Sequence, residues 1–176
     1  MIIDSSVLIT FAKINKIDLL IKLYKKLMIT KGVFEECVDK GFLIDAPDAH
    51  IIKKFIQDGS IEVLELNQKE KEFFKNLEKN YSFLGKGELE SITLSFSRKE
   101  KYLVLDDREA RNVSKLYNLI PVGSLKIFLE AYKKDILEEF DLKESIKKLL
   151  ENKFRVGGEV INEFWNFFER IKRVKK

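Results

Sequence analysis

The chain has 176 residues, of which 45% are apolar, 11% aromatic and 35% charged, with only two prolines and eight glycines. That is enough apolar material for one domain with a buried core, and it excludes disorder, fibrous repeats and a membrane span, which would need ~18 consecutive apolar residues. One cysteine (Cys37) and one histidine (His50) exclude a disulfide framework and a Cys/His zinc centre, so any metal must be held by oxygen. The 33 basic and 29 acidic residues nearly cancel, and a balance of +4 permits a polyanionic partner without requiring one. The first residues show no basic segment followed by a long apolar stretch, so a cytosolic location is expected.

Met1-Ile2-Ile3 reads as a short buried strand that stops at Asp4, and Asp4-Ser5-Ser6 caps a helix carrying Val7, Leu8, Phe11 and Ile14. After a break at Asn15-Lys16, Ile17, Leu20, Ile21 and Tyr24 continue at helical spacing. Leu27 to Thr30 predicts a second strand, Val33 to Val38 the start of a helix, and Pro47 the opening of another with Ile51, Ile52, Phe55 and Ile56. Asp58-Gly59-Ser60 is turn chemistry before a strand over 61–66, and Phe73, Phe74 and Leu77 predict the next helix. Gly85-Lys86-Gly87 leads into a helix with Leu89, Ile92 and Phe96 on one face, leaving Glu88, Ser91 and Ser95 on a polar stripe. Tyr102 to Leu105 is a further strand ending in Asp106-Asp107. An amphipathic helix follows (Ala110, Val113, Leu116, Tyr117), then a strand over 120–122 and a helix from Leu125 through Tyr132. The alternation predicts an α/β fold: a parallel sheet with helices on both faces and a ligand site beyond the carboxyl ends of the strands.

Past about residue 136 only helical patterns remain: Leu142, Ile146, Leu149 and Leu150, then Val160, Ile161, Phe164, Trp165, Phe168 and Ile171, separated by Gly157-Gly158. Residues 1–134 are therefore expected to form the main domain, and 135–176 a helical extension packed on it or on a partner. The basic end (Arg170, Lys172, Arg173, Lys175 and Lys176) reads first as a solvated, frayed tail. Helical spacing assigns Phe164, Trp165 and Phe168 to packing before base stacking or a partner surface.

In a parallel sheet, strands ending in Asp4 and Asp106 bring both carboxylates to the same edge. Glu88, in the first turn of its helix, and Glu36, one turn into the helix after the second strand, can face that edge too. Four crowded carboxylates raise one another's pKa, and a hard cation such as Mg²⁺ or Mn²⁺ resolves the conflict with oxygen ligands alone.

Asp4-Ser5-Ser6-Val7-Leu8-Ile9, Val33-Phe34-Glu35-Glu36-Cys37-Val38, Gly85-Lys86-Gly87-Glu88-Leu89-Glu90-Ser91-Ile92 and Leu105-Asp106-Asp107-Arg108-Glu109-Ala110-Arg111 resemble, in that order, the acidic motifs of PIN-domain proteins. The similarity is greatest to the prokaryotic subgroup of toxin–antitoxin ribonuclease toxins, the VapC-like and DUF3368-like proteins. It covers roughly residues 1 to 134, and Gly123-Ser124-Leu125 resembles the Gly-Thr/Ser segment after the last strand of that subgroup. Two departures are visible. Thr30-Lys31-Gly32 stands where many relatives have a proline, which leaves Glu35 and Glu36 as alternatives, and Lys126 replaces a small residue.

The resemblance implies a PIN-like three-layer α/β/α fold and a metal-dependent endoribonuclease acting on RNA. Asp4, Glu36, Glu88 and Asp106 stand in the acidic positions, with Asp4, Glu88, Asp106 and Asp107 as metal ligands for Mg²⁺ or Mn²⁺. Ser6 and Ser124 are supporting residues, although Ser124 reads first as a helix cap, and Asp4, Asp106 and Asp107 read equally as caps. Arg108 and Arg111 suit either RNA phosphates or a surface role. An antitoxin protein and a homodimer both remain open as partners, and no membrane partner is expected. The alternative function is a non-catalytic PIN-fold module that binds RNA or protein. An aspartyl-phosphate phosphatase would want an acid where Ser6 stands, and a receiver domain would want its acidic pair after the first strand.

Overall fold

The computed structural model describes residues 1–175, so Lys176 of the basic end lies outside the described residues. Strands β1 (Ile2–Ile3), β2 (Leu27–Thr30), β3 (Ile61–Leu64), β4 (Tyr102–Val104) and β5 (Ile120–Val122) form one parallel sheet in the order β3-β2-β1-β4-β5. Ile2 lies opposite both Met28 and Leu103, and Ile3 opposite Val104. From β1 the chain builds outward through β2 and β3, then returns to the other side of β1 with β4 and β5. The reversal lies between β1 and β4, and ligands of open α/β sheets bind at such a switch point, outside the carboxyl ends of the strands. Strands three and four are shorter than their apolar runs: Glu65, Leu66 and Leu105 continue past the last paired residues.

Alternate strand residues separate the two layers of core. Ile3, Leu27, Ile29, Ile61, Val104 and Val122 face a larger cluster; Ile2, Leu103 and Leu105 face a smaller one. The larger cluster is closed by α1 (Ser5–Lys13), α2 (Ile17–Tyr24), α5 (Pro47–Gln57) and α9 (Ser124–Lys133). Helix α3 (Lys31–Phe34) widens into a π turn over Glu35–Asp39 and resumes as α4 (Lys40–Leu43). The smaller cluster lies under α6 (Gln68–Asn80), α7 (Lys86–Ser97) and α8 (Arg108–Leu116). This is the three-layer α/β/α arrangement of a PIN-like fold. Asn15, in the left-handed region at φ 54°, makes the predicted break between α1 and α2.

Two expectations need correction. The stripe carrying Ser91 and Ser95 is not solvated: both are fully buried, and Glu90 and Thr93 are buried with them, because α7 is packed between the sheet, α3, α6 and α8. The basic end is not frayed either. In α11 (Gly158–Lys175), Lys172 pairs with Glu139 at 2.8 Å, and Lys175 bonds Asp135 and the Tyr132 carbonyl. The extension packs on the domain itself. Leu142, Ile146 and Leu149 of α10 (Glu139–Glu151) and Phe164 and Phe168 of α11 are buried in the same cluster as Ile3 and Phe128, and the Phe168 ring lies 4.9 Å from that of Tyr132. No helix among the described residues is long and apolar enough to cross a membrane.

Candidate active site

Asp4 follows β1 directly. Its amide donates to the Val104 carbonyl at 3.0 Å, which locks the strand end to β4, and its Oδ2 accepts from the Ser6 amide (3.2 Å) and hydroxyl (2.8 Å). The residue therefore caps α1 as well as lining the site. Its other oxygen, Oδ1, is buried without a hydrogen-bond partner. Such an atom is costly unless something else compensates it. Burial, and to a lesser degree the charge of Glu36, push the Asp4 carboxyl up to about 6.

Glu36 lies in the π turn, where the wider helical spacing places it beside α7. Its Oε1 accepts from the Gly87 amide at 3.2 Å. Glu35 points elsewhere and pairs with Lys86 at 2.7 Å, so of the two alternatives Glu36 is the residue at the site. π turns of this kind cost helix geometry and recur at functional sites. Glu88 folds back to accept from the Gly85 amide at 2.9 Å, closing the helix N-terminus with its carboxylate. A methyl group on Gly85 would lie 3.6 Å from Glu88 Oε2 and 4.0 Å from Glu36 Oε1, so the two acids flank one loop. Desolvation first, then the charges of Asp4, Asp107 and Glu36, push Glu88 up to about 7. Glu36 thus raises both Asp4 and Glu88, and Asp4 and Asp107 raise Glu88 further, as expected for carboxylates gathered without a cation.

Asp106 reaches the same edge from β4 but is held differently. Ser124 binds both of its oxygens, the amide to Oδ1 at 2.8 Å and the hydroxyl to Oδ2 at 2.5 Å. Ser124 is thus the anchor of Asp106; Gly123, not Ser124, is the cap of α9. Burial raises the Asp106 carboxyl, opposed by Ser124 and the nearby Arg111 guanidinium. Arg111 is consequently a partner of the site's own acid. Asp107 is exposed and caps α8 through the Ala110 amide at 2.8 Å. His50 is remote and exposed against Phe42, and Cys37 is buried, its thiol pushed up by burial and by Asp4 and Glu36.

Among the described residues no three Asp, Glu, His or Cys side chains stand close enough to form a complete ligand set, so the carboxylates share an edge without converging on one point. Their chemistry nevertheless suits a hard divalent cation. The donors are all oxygen, Asp4 Oδ1 lacks any partner, and Asp4 and Glu88 are held above their ordinary range by burial and by neighbouring acids.

Beyond Arg108, already singled out in the sequence, two sets of residues escape sequence inspection. Glu90 is buried beside the site, accepting from the Gly32 amide at 2.7 Å and tying α7 to α3. The other is cationic: a cleft of about 530 Å³ over Glu88, Asp106 and Asp107 is lined by Lys13, Lys153 and Arg155 as well as by Arg108.

Searches of curated proteins and of solved structures returned no match. A family model described as a PIN domain (DUF3368) matches residues 1–170, nearly the whole chain and including α10 and most of α11. PIN domains are generally nucleases. With acids at the switch point of a five-stranded parallel sheet and this match, the chain belongs to the PIN-domain family.

Proposed function

We propose that this protein is a metal-dependent endoribonuclease that hydrolyses RNA phosphodiester bonds at the edge defined by Asp4, Glu36, Glu88 and Asp106. The observation that carries the reading is Asp4 Oδ1, buried and unpartnered at the switch point, in a carboxyl that burial and the charge of Glu36 push upward. Asp4, Glu88, Asp106 and Asp107 would hold Mg²⁺ or Mn²⁺. When bound, the cation supplies charge neutralisation at the phosphate and acidifies water.

The remaining work falls to the chain. Glu36 is anchored through Oε1 by Gly87, leaving Oε2 to accept a hydrogen bond from the attacking water. Glu88 is fixed at the start of α7 by the Gly85 amide, which keeps its carboxylate on the loop it shares with Glu36. Ser124 keeps Asp106 in one orientation, and Ser6 does the same for Asp4 while presenting an exposed side chain to the cleft.

The deciding experiment incubates mixed RNAs with the protein in Mg²⁺ or Mn²⁺, with and without EDTA. Cleavage that EDTA abolishes and Asp4→Asn lowers at least about 100-fold supports the reading. Intact RNA in both metals would instead leave a PIN-fold binding module. The toxin role, with an antitoxin or a second copy of the chain as partner, rests on the motif resemblance. Growth arrest on expression, relieved by Asp4→Asn, is its test.

A further inference from the structure

The cleft above the acids is walled by three stretches that are far apart in sequence: α1, the turn into α8, and residues 149–155 at the end of α10. Each wall brings cations: Lys13, Arg108, and Lys153 with Arg155. All four are exposed, and among the described residues none has an ion-pair partner. This contrasts with Lys172 and Lys175 of the same extension, both engaged by carboxylates. Unpaired cations that rim an acidic floor suit a ligand with repeated negative charge along its length.

The 152–155 segment also has a fixed shape. Lys153 turns the chain at φ 59°, and the Phe154 amide bonds the Leu149 carbonyl at 3.1 Å. Phe154 is half-buried against the main core while still lining the cleft, so part of its ring faces the ligand space without needing to be ordered first. An aromatic ring between two phosphate-seeking cations is the arrangement by which proteins hold single strands, since only an unpaired base offers a free face for stacking.

We propose that residues 152–155 form the substrate-strand clamp of this nuclease, taking single-stranded RNA with Lys153 and Arg155 on phosphates and Phe154 against a base. The inference rests on the nuclease reading, because the cleft onto which the clamp opens has Glu88, Asp106 and Asp107 among its lining. It gives the C-terminal extension a role in substrate choice.

The test measures binding by fluorescence anisotropy of a labelled 20-nucleotide RNA of mixed sequence, alone or annealed to its complement. The intact chain carrying Asp4→Asn is used in EDTA so that nothing is cut. Single-stranded RNA should bind more tightly than the duplex. Adding Lys153→Ala with Arg155→Ala should weaken binding roughly tenfold and flatten the salt dependence by about 1.4 log units per log unit of salt, ~0.7 for each phosphate that is no longer neutralised. A matched-charge control, Lys133→Ala with Lys134→Ala at the far end of α9, should change neither by more than about twofold. Phe154→Leu keeps the apolar packing and removes the stacking face, and should weaken the single strand while leaving the salt slope alone. With otherwise wild-type protein in Mg²⁺, the double variant should raise KM far more than it lowers kcat. Equal affinity for single strand and duplex, or an unchanged salt slope in the double variant, overturns the clamp even if cleavage is robust. The expected binding pattern without cleavage in any metal would overturn the nuclease reading and leave the clamp standing.

Discussion

At the scale of single residues the site is under electrostatic tension, and that tension has a thermodynamic signature. Asp4 is pushed from 3.8 up to about 6 and Glu88 from 4.5 up to about 7, burial being the first cause of each. Between about pH 4 and pH 7 the folded chain therefore binds more protons than the unfolded one, and stability falls as pH rises through that interval. For Asp4, fully buried, the cost at neutral pH is on the order of 3 kcal/mol. Metal-free protein should melt at a lower temperature at pH 7.5 than at pH 5, and millimolar Mg²⁺ or Mn²⁺ should recover the difference at pH 7.5. Asp4→Asn should raise the metal-free Tm at pH 7.5 by roughly 6–12 °C and blunt its response to metal. Scanning calorimetry across this pH range decides it, and a pH-independent Tm in the wild type would show that no such tension exists. The neighbouring glutamates separate just as clearly. Glu36→Gln should reduce RNA cleavage by about 100-fold or more, whereas Glu35→Gln, which only frees Lys86, should stay within about twofold of wild type. Equal losses in both variants would overturn the assignment of Glu36 alone to the chemistry.

Elements, rather than residues, decide whether those acids can work. Gly87 and Gly32 present the same steric problem with different consequences. A methyl group at Gly87 would lie 2.8 Å from Glu36 Oε2, and one at Gly32 would lie 2.8 Å from Glu90 Oε2. Glu36 is only partly buried and can swing aside, and alanine improves the helical propensity of α7 by up to ~1 kcal/mol, so Gly87→Ala should leave Tm nearly unchanged. It should nevertheless cut cleavage by roughly 10–100-fold, because the displaced carboxylate is the one that faces water. Glu90 has nowhere to go, being buried and bonded to the very amide it would have to leave. Gly32→Ala should cost about 1–3 kcal/mol, read as a Tm several degrees lower in thermal unfolding. Were the two variants to show the same profile of Tm and cleavage, the assignment of Glu36 to chemistry and Glu90 to structure would be wrong. This pair also marks how far sequence reading reached. Asp4 and Asp106 were legible because an apolar run that halts at an acid is a local signal. Glu90 was not: it sits one residue beyond Leu89 on a helix whose every face is covered, and its partner is a backbone amide 58 residues away.

On the scale of the whole molecule, the alternation of strands and helices and the parallel sheet were readable from periodicity, whereas the order of the strands and the relation of the extension to the rest were not. The apolar spacing of Leu142, Ile146, Phe164 and Phe168 announces buried faces without saying what they face. Here they face the same cluster as Ile3, Phe11 and Phe128, with α10 and α11 packed on α9. For the same reason Lys172 and Lys175 read as a loose end: their partners Glu139 and Asp135 lie 33 and 40 residues earlier in the chain. A domain ending near residue 134 would therefore be cut through its core. Removing residues 135–176 would expose the fully buried faces of Phe128 and Ala131 together with Tyr132, and would also remove the wall that carries Lys153 and Arg155. A single truncation inside that contact, Phe168→Ala, should already cost about 3–5 kcal/mol, a large part of the ~5–15 kcal/mol that stabilises an ordinary domain. The 1–134 fragment should accordingly be insoluble or lack fixed tertiary packing, with weak near-ultraviolet circular dichroism and no sharp melt. A monomeric fragment with a cooperative transition would demonstrate that the larger cluster closes without α10 and α11. In that event the extension would be an appendage. The burial of Phe168 against Tyr132 says that it is part of the fold, and the cleft over the acids takes one of its walls, residues 149–155, from that same extension.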